Sequence, residues 1–347
     1  MKKNKITVNK KAIKGMKKIM VFLFLFSAFA FITSCNSDDN FKVDLSDVPT
    51  PQIEIKRYAR TMFAVPPDSF IAAVRTYRDT FPLFLGGDIN DTNALLQLKA
   101  FFTDRYMVEL NNQVQKEFPD LKELKAGLQK AFRHFKYYFP KEPVPQFYTY
   151  VSGLDYQFPV KFAGDAVIIG LDLYLGKDTK AYKVSGFPQY GRRWMNRRSI
   201  VPDVMKEICS GYMPESRSDD NLLKQMVERG KKLYFTKAMI PDIPDTLLFK
   251  YTSTQMQWIK EYEAKVWAFI VENRLLYDNK KNMLNKFTGD GPFTDYFSKK
   301  SPPRLAEYLG FRIVKNYMDE TGEPLRKLLP EENAPKILKL SRYKPEI

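Results

Sequence analysis

The feature that most constrains this chain is an uncharged run of fourteen residues, Ile19–Ile32, which follows a lysine-rich N-terminus. As a helix this run would be roughly 21 Å long, whereas the hydrocarbon core of a bilayer is roughly 30 Å thick. A short apolar segment behind a basic flank is typical of a secretory signal peptide. An uncleaved anchor helix is the open alternative. We therefore expect the rest of the chain to be exported.

The run ends in Ile32-Thr33-Ser34-Cys35, which resembles the lipobox of bacterial lipoproteins. In that motif the cysteine is lipidated and becomes the mature N-terminus. The resemblance implies a signal peptide over residues 1–34, with Met16 as a candidate start. A lipidated tether over residues 35–52 and a single globular domain over residues 53–347 would follow.

The polar segment Asn36–Asn40, with Asp38 and Asp39 at its centre, resembles the signal that carries Bacteroidetes lipoproteins to the outer-membrane surface. A solvated tether would have the same composition. We therefore predict a lipid-anchored protein of the cell envelope, in the outer membrane, and leave its surface or periplasmic orientation open.

The cysteine count limits how the domain is stabilised. Lipidation of Cys35 would leave only Cys209, so no intramolecular disulfide could form. The exported domain must then depend on its hydrophobic core, which its length permits. Because Cys209 lies in the apolar stretch 204–212, we predict that it is a small buried core residue.

The net charge of +16 invites a nucleic-acid interpretation, but its distribution argues against one. Residues 1–34 carry eight lysines and no acidic residue, so half of the excess leaves with the signal peptide. The densest remaining cationic patch surrounds Trp194. It is a candidate site for lipid phosphates or an acidic partner surface, with a solvated face as the alternative, and its members are Arg192, Arg193, Arg197 and Arg198.

Hydrophobic periodicity predicts an α+β domain that is predominantly helical with a small sheet. Strands are predicted where apolar and β-branched residues are continuous, over 53–58, 146–151 and 166–171. Helical spacing predicts helices over 94–118, 121–135, 222–233, 256–276 and 305–318.

Searches for catalytic motifs are mostly negative. The single histidine, His134, excludes an HExxH centre, and the chain has no glycine-rich phosphate loop, GxSxG elbow or CxxC pair. We predict that His134 is a packing or helix-terminal residue, and that the protein needs no cofactor and no metal. Carboxylates could still perform acid–base chemistry, and the candidates are Asp165, Asp172, Asp178, Asp203, Glu207 and Glu228.

Several phrases, in this order, resemble the gliding-motility lipoprotein GldB family of Bacteroidetes. His134–Pro140 resembles the family's "HxxYYFP", Leu171–Asp178 its "LDxYLGxD", and Ser341–Pro345 its terminal "SKYKP". The phrases extend over nearly the whole mature chain. The resemblance implies an envelope lipoprotein that is associated with gliding or a related process.

A more remote resemblance is to zinc metallopeptidases of the gluzincin type. In that alignment Pro202–Lys206 occupies the place of HExxH, and Glu228 occupies the place of the third, glutamate ligand. Both histidines are missing, and Lys206 would place a cation where a ligand is needed. Asp203 would lie where the general base lies. The resemblance implies a zincin-like, degenerate metallopeptidase fold, in which Asp203, Lys206 and Glu228 line a vestigial cleft.

The leading hypothesis is a non-enzymatic, membrane-anchored protein that binds other envelope proteins in a gliding or secretion-associated assembly. Nucleic acid is not an expected partner. Two alternatives stay open. One is a hydrolase that uses a carboxylate pair, and the other is a surface glycan-binding lipoprotein, which the 20 tyrosines and 27 phenylalanines would supply with aromatic platforms.

The lipid anchor is testable by Cys35→Ala. Each buried CH₂ of an acyl chain contributes about 0.8 kcal/mol to membrane binding, so loss of several chains should release or mislocalise the protein. Membrane fractionation and palmitate labelling measure this. A Cys35→Ala protein that still pellets with membranes and still takes up palmitate would contradict the lipobox assignment.

Overall fold

A computed structural model describes residues 41–345, apart from residues 89, 216, 218 and 219. The signal peptide and the first part of the predicted tether, residues 35–40 with Cys35, lie outside the described residues, whereas residues 41–52 of the tether are described. Asp44–Ile347 forms one compact unit, and residues 41–43 belong to the preceding one. Within the described residues no helix is both long and apolar enough to cross a bilayer.

The predicted fold class is confirmed, since the domain is α+β and mostly helical with one four-stranded sheet. The strands are β1 (Ile55–Arg57), β2 (Gln146–Tyr150), β3 (Val160–Phe162) and β4 (Ala166–Gly170). The helices are α1 (Tyr58–Phe63), α2 (Phe70–Tyr77), α3 (Pro82–Leu85), α4 (Thr92–Thr103), α5 (Arg105–Glu117), α6 (Lys122–Tyr138), α7 (Lys180–Val184), α8 (Gln189–Arg192), α9 (Ile200–Ser210), α10 (Leu222–Met239), α11 (Asp245–Leu248), α12 (Ser253–Glu272), α13 (Lys281–Thr288), α14 (Leu305–Thr321), α15 (Leu325–Leu328) and α16 (Ala334–Ser341).

The sheet has the strand order β1-β2-β4-β3. β1, β2 and β4 are parallel, and β3 is antiparallel to β4 at one edge. Neighbouring residues of β2 and β4, such as Tyr148 and Val167, are buried, as expected for a parallel sheet covered on both faces. Gly164, whose φ of +70° favours glycine, lies in the short turn that joins β3 to β4.

Several predicted elements have different bounds in the structure: the helix predicted over 222–233 extends to Met239, and the one predicted over 256–276 is Ser253–Glu272. Two further differences have a clear physical reason. The strand predicted over 53–58 is only Ile55–Arg57, and Tyr58 already begins α1. The single helix predicted over 94–118 is two helices, α4 and α5. The break is at Asp104, where the extended backbone ends α4 and the side chain accepts a hydrogen bond from the Met107 amide at 3.0 Å. Aspartate is a preferred N-cap, and this capping outweighs the continuous apolar period.

Helices α10 and α14 pack with their backbones in close contact at Gly230 and Gly310. A Cβ atom on Gly310 would overlap the backbone carbonyl of Met226, and one on Gly230 would overlap the carbonyl of Gly310. Neither neighbour is a flexible side chain that could move aside. Only glycine at both positions permits this crossing, which sets the distance between the two long helices.

The C-terminal segment is attached to the helical core through one carboxylate. Glu263 of α12 is only 8% exposed, and it accepts hydrogen bonds from the Tyr308 hydroxyl at 3.0 Å and the Tyr343 hydroxyl at 2.8 Å. Arg312 donates to the same carboxylate at 2.9 Å. A buried carboxylate with three donors is stable in the interior, so Glu263 joins α12, α14 and the chain after α16.

The helix crossing predicts a large effect for Gly310→Ala. The added methyl group must displace a helix backbone, so we expect the free energy of unfolding to fall by about 3 kcal/mol or more. Chemical denaturation followed by circular dichroism measures the change. Gly87→Ala is the matched control, because no atom lies within 4 Å of a Cβ at that exposed glycine. Equal stabilities for the two variants would contradict the close helix contact.

Candidate functional site

A cavity of about 760 Å³ opens beside the edge strand of the sheet. The segment before β3, the region of α8, and α9 form one part of its wall. The other part comes from Arg229 of α10, the turns before α12 and after α13, and the start of α14. This volume is in the range of pockets that hold small ligands.

Two smaller cavities share residues with this one. The first, of about 420 Å³, includes Glu228 together with Lys206, Arg229 and Glu307. The second, of about 200 Å³, includes Asp203, Lys206 and Glu207. Lys206 is therefore the residue that lines all three.

Helix α9 places Asp203 and Lys206 on one face because residues three apart in a helix are neighbours. Its opposite face carries buried apolar side chains, among them Val204, Met205 and Ile208. That face packs against α6, α10 and β3. The predicted burial of Cys209 is confirmed, and burial raises the pKa of its thiol to about 12, so the thiol stays protonated.

Asp203 is paired on both oxygens. Lys250 Nζ lies 2.8 Å from Oδ1, and the Tyr174 hydroxyl donates to Oδ2 at 3.2 Å. Burial, with a further contribution from the Asp203 charge, raises the pKa of Tyr174, so the hydroxyl remains a neutral donor. The carboxylate thus has a cation and a hydroxyl as partners before any ligand enters.

The charged wall of the cavity has two parts. Asp203 and Lys250 form the first, and Arg304 and Glu307, at the start of α14, form the second. Arg304 Nη1 lies 2.5 Å from Asp290 Oδ1, and its Nε lies 3.4 Å from Glu307 Oε2. Arg229 Nη1 reaches Glu307 Oε1 at 3.3 Å. Burial alone would raise the pKa of Glu307, but the charges of Arg304, Lys206 and other cations outweigh it and lower the pKa.

Lys206 differs from Arg229, Lys250 and Arg304, which are paired with carboxylates. Its ammonium donates to the Leu248 carbonyl at 3.3 Å. Among the described residues no carboxylate lies within 4.0 Å of Lys206 Nζ. Burial, and then the nearby charge of Lys250, lower its pKa to about 8, although Glu307 and Asp203 act in the opposite direction.

The three predicted cleft residues do not share one cavity. Asp203 and Lys206 line the 760 Å³ cavity, whereas Glu228 lines the neighbouring cavity of about 420 Å³. Lys224 Nζ lies 3.9 Å from the Glu228 carboxylate. The acid that reaches both cavities is Glu307, which sequence reasoning did not select. One signal was available, since Arg304 and Glu307 are opposite charges three residues apart at the start of an apolar helix.

The cleft residues do not fit a zinc site. Within the described part of the chain, no three histidine, cysteine, aspartate or glutamate side chains are grouped so that they could hold a metal ion. Lys206 brings a positive charge to the position where a ligand would be needed. The origin of the fold from a metallopeptidase remains a prediction.

The four arginines of the predicted anionic-partner patch have different surroundings. Arg193 lines the 760 Å³ cavity, while Arg197 pairs with Glu117 at 2.6 Å. Arg192 donates weakly to the Lys177 carbonyl at 3.5 Å, and Arg198 is exposed. Only Arg193 is therefore available to a ligand inside the cavity.

The carboxylates proposed for acid–base chemistry are also dispersed. Asp172 is fully buried and accepts hydrogen bonds from the Ser152 and Leu154 amides, which is a structural role. Asp165 and Asp178 are exposed. Of these six acids, Asp203 and Glu207 line a common cavity of about 200 Å³, and burial raises the pKa of Glu207. His134 contacts the Lys130 carbonyl of its own helix at 3.0 Å, outside all of these cavities.

The charged wall predicts that Glu307→Gln destabilises the domain. Removing one partner of a partly buried ion pair leaves the cations uncompensated, so the free energy of unfolding at pH 7 should fall by about 3 kcal/mol. Because folding lowers the Glu307 pKa, the stabilisation is complete above about pH 4.3, the usual glutamate value, and is lost as the pH falls through the folded value. The variant should lack this acid-dependent component.

Urea denaturation between pH 3 and pH 7 measures both effects. Glu320→Gln on the same helix is the control, because its pair with Arg342 is exposed and should contribute less than about 0.5 kcal/mol. Equal losses in the two variants would contradict the role given to Glu307.

Comparison with known proteins identifies a family. Residues 38–345 match the family described as "Gliding motility protein GldB", which confirms the resemblance drawn from the sequence phrases. No curated protein and no solved structure gives a significant match. The family match supports a gliding-motility lipoprotein associated with the cell envelope. Since the match spans nearly the whole chain after Cys35, the chain belongs to the GldB family of gliding motility proteins.

Proposed function

We propose that this protein is a non-enzymatic, lipid-anchored component of a gliding or secretion-associated assembly, and that it acts by binding through the 760 Å³ cavity. The observation that carries the proposal is the pairing of the acids in that cavity with cations. Asp203 is held by Lys250, and Glu307 by Arg229 and Arg304. The cations around Glu307 lower its pKa, so this carboxylate is poorly suited to take up a proton near neutral pH.

In this proposal, the lipid on Cys35 anchors the protein in the outer membrane. Envelope proteins are the expected partners, because the family is one of motility components and the exported domain is far from nucleic acid. Support for a binding role comes from the cavity itself, which combines charged walls with the aromatic side chains of Tyr156, Tyr190 and Trp194. Aromatic and arginine side chains are enriched where proteins bind partners.

The hydrolase alternative rests on Asp203 and Glu207, the two candidate acids that share a cavity. A hydrolase that uses this pair would need both carboxylates. A binding protein that acts through the 760 Å³ cavity would tolerate replacement of Glu207 by an amide of the same shape, because Glu207 does not line that cavity.

Complementation of a deletion strain separates the two functions. In a gliding bacterium that carries this gene, deletion should abolish gliding, and the wild-type gene should restore it. We expect Glu207→Gln to restore gliding as well, at equal protein levels in the membrane. Loss of gliding in this folded variant would favour the hydrolase. A deletion without effect on gliding, protein export or surface display would contradict the whole proposal.

Obstruction of the cavity tests the binding role. Gln189 is exposed and lines the cavity, so Gln189→Trp should hinder entry without removing an internal contact. We expect it to reduce cell gliding strongly at unchanged thermal stability. Lys183→Trp, at an exposed position outside the cavity lining, is the control and should glide normally. Normal gliding of both variants would show that the cavity is not the binding site.

A further inference from the structure

We propose that the 760 Å³ cavity binds the phosphate group of an organic phosphate monoester, with Lys206 as the cation that anchors it. This inference rests on the proposed binding function and specifies the chemistry of the ligand. Its basis is the charge balance of the cavity lining, the lack of a carboxylate partner for two of its cations, and the aromatic wall beside them.

The lining of the cavity carries more cations than acids. Its acids are Asp203, Asp290 and Glu307, and each has a cation within 3.4 Å. Its cations are Arg193, Lys206, Arg229, Lys250 and Arg304. The cations of the cavity lining therefore outnumber its acids by two.

The two cations in excess can be identified. Among the described residues neither Lys206 nor Arg193 has a carboxylate within 4.0 Å, whereas Arg229, Lys250 and Arg304 each do. Lys206 is the partly buried one of the two, and a cation held in such a site without a counter-ion is costly unless an anion from outside provides the charge. Arg193 is exposed and lines the same cavity. A phosphate monoester carries about −1.5 to −2 charges at pH 7, which matches an excess of two.

The size of the cavity indicates that the phosphate belongs to a larger molecule. Inorganic phosphate would occupy only a small part of about 760 Å³. The remaining wall includes the rings of Tyr156, Tyr190 and Trp194. Such a wall provides apolar surface for the organic part of a ligand, while lysine and arginine bind its phosphate oxygens.

The pH dependence of binding follows from the Lys206 site. Protonated Lys206 binds the anion, and its pKa of about 8 means that the charge is lost as the pH rises above that value. The monoester gains its second charge as the pH rises through about 6. Affinity should therefore be highest between about pH 6 and pH 8. The charged groups that face Lys206 from the surrounding elements are Asp203, Glu207, Arg229, Lys232, Lys250, Arg304 and Glu307.

Calorimetric titration of the full-length lipoprotein in detergent tests the inference. The probes are phenyl phosphate, inorganic phosphate and a short-chain phosphatidic acid, each at constant ionic strength. We expect phenyl phosphate to bind more tightly than inorganic phosphate. Lys206→Met should weaken phenyl phosphate binding about tenfold or more, because a charge-assisted contact is lost. Lys183→Met, an exposed lysine outside the cavity lining, should bind as the wild type does.

Lys206→Arg provides a variant that keeps the charge. It should retain most of the affinity but lose the decline above pH 8, since arginine stays protonated. A merely structural role of Lys206 would not give this change in the pH profile. Thermal denaturation of each variant identifies any loss that comes from unfolding.

The outcomes are distinct. Lys206-dependent binding of phosphatidic acid alone would support a lipid headgroup as the source of the phosphate, and Lys206-dependent binding of phenyl phosphate alone would support a soluble ester. No binding of any probe by the wild type, or equal binding by folded Lys206→Met, would overturn the inference. If Gln189→Trp abolishes gliding while Lys206→Met glides normally, the phosphate inference fails and the proposed binding function stands.

Discussion

The backbone contact between α10 and α14 is the constraint on which the candidate site depends. Gly230 and Gly310 lie where the helices touch, and a side chain at either position would force them apart. Arg229 directly precedes the first glycine, and Glu307 lies three residues before the second. Their ion pair of 3.3 Å across the cavity wall is therefore set by the helix crossing. A packing requirement in the core thus determines where charges lie in the site.

The charges of the site support the proposed binding role. Its acids are already neutralised by Lys250, Arg229 and Arg304, and Asp203 receives a further hydrogen bond from Tyr174. Among the described residues, the cations of the cavity without a carboxylate partner are Lys206 and Arg193. In the proposed account, this excess of positive charge attracts an anion to the cavity.

The family match covers residues 38–345 and therefore includes both the cavity and the C-terminal segment. Glu263 holds that segment in place. The terminal phrase Ser341–Pro345 includes Tyr343, whose hydroxyl is one of the donors to that carboxylate. Tyr343 therefore has a structural role that the sequence phrase alone does not show, because it attaches the end of the chain to α12.

Much of the fold could be predicted from the sequence, because the spacing of apolar residues within one helix or strand indicates which of its side chains are buried. The α+β class, the long helices and the buried Cys209 follow from such patterns. The break at Asp104 was missed, since the apolar period continues across it and only the N-cap marks it. The site was harder to predict. Periodicity shows that Glu228 and Glu307 lie on helices, but it cannot show which of them faces Asp203, because that depends on how the helices cross.

The most direct test of this account is the ionisation of Lys206 itself. The Cε chemical shift of ¹³C-labelled lysine, assigned by comparison with Lys206→Arg, follows the charge of its ammonium group. The account predicts titration near pH 8 in the free protein, and a shift to higher pH when phenyl phosphate is bound, because the anion stabilises the protonated form. Titration near the usual lysine value of about 10.4, unchanged by phosphate, would contradict a cationic cavity that binds an anion through Lys206.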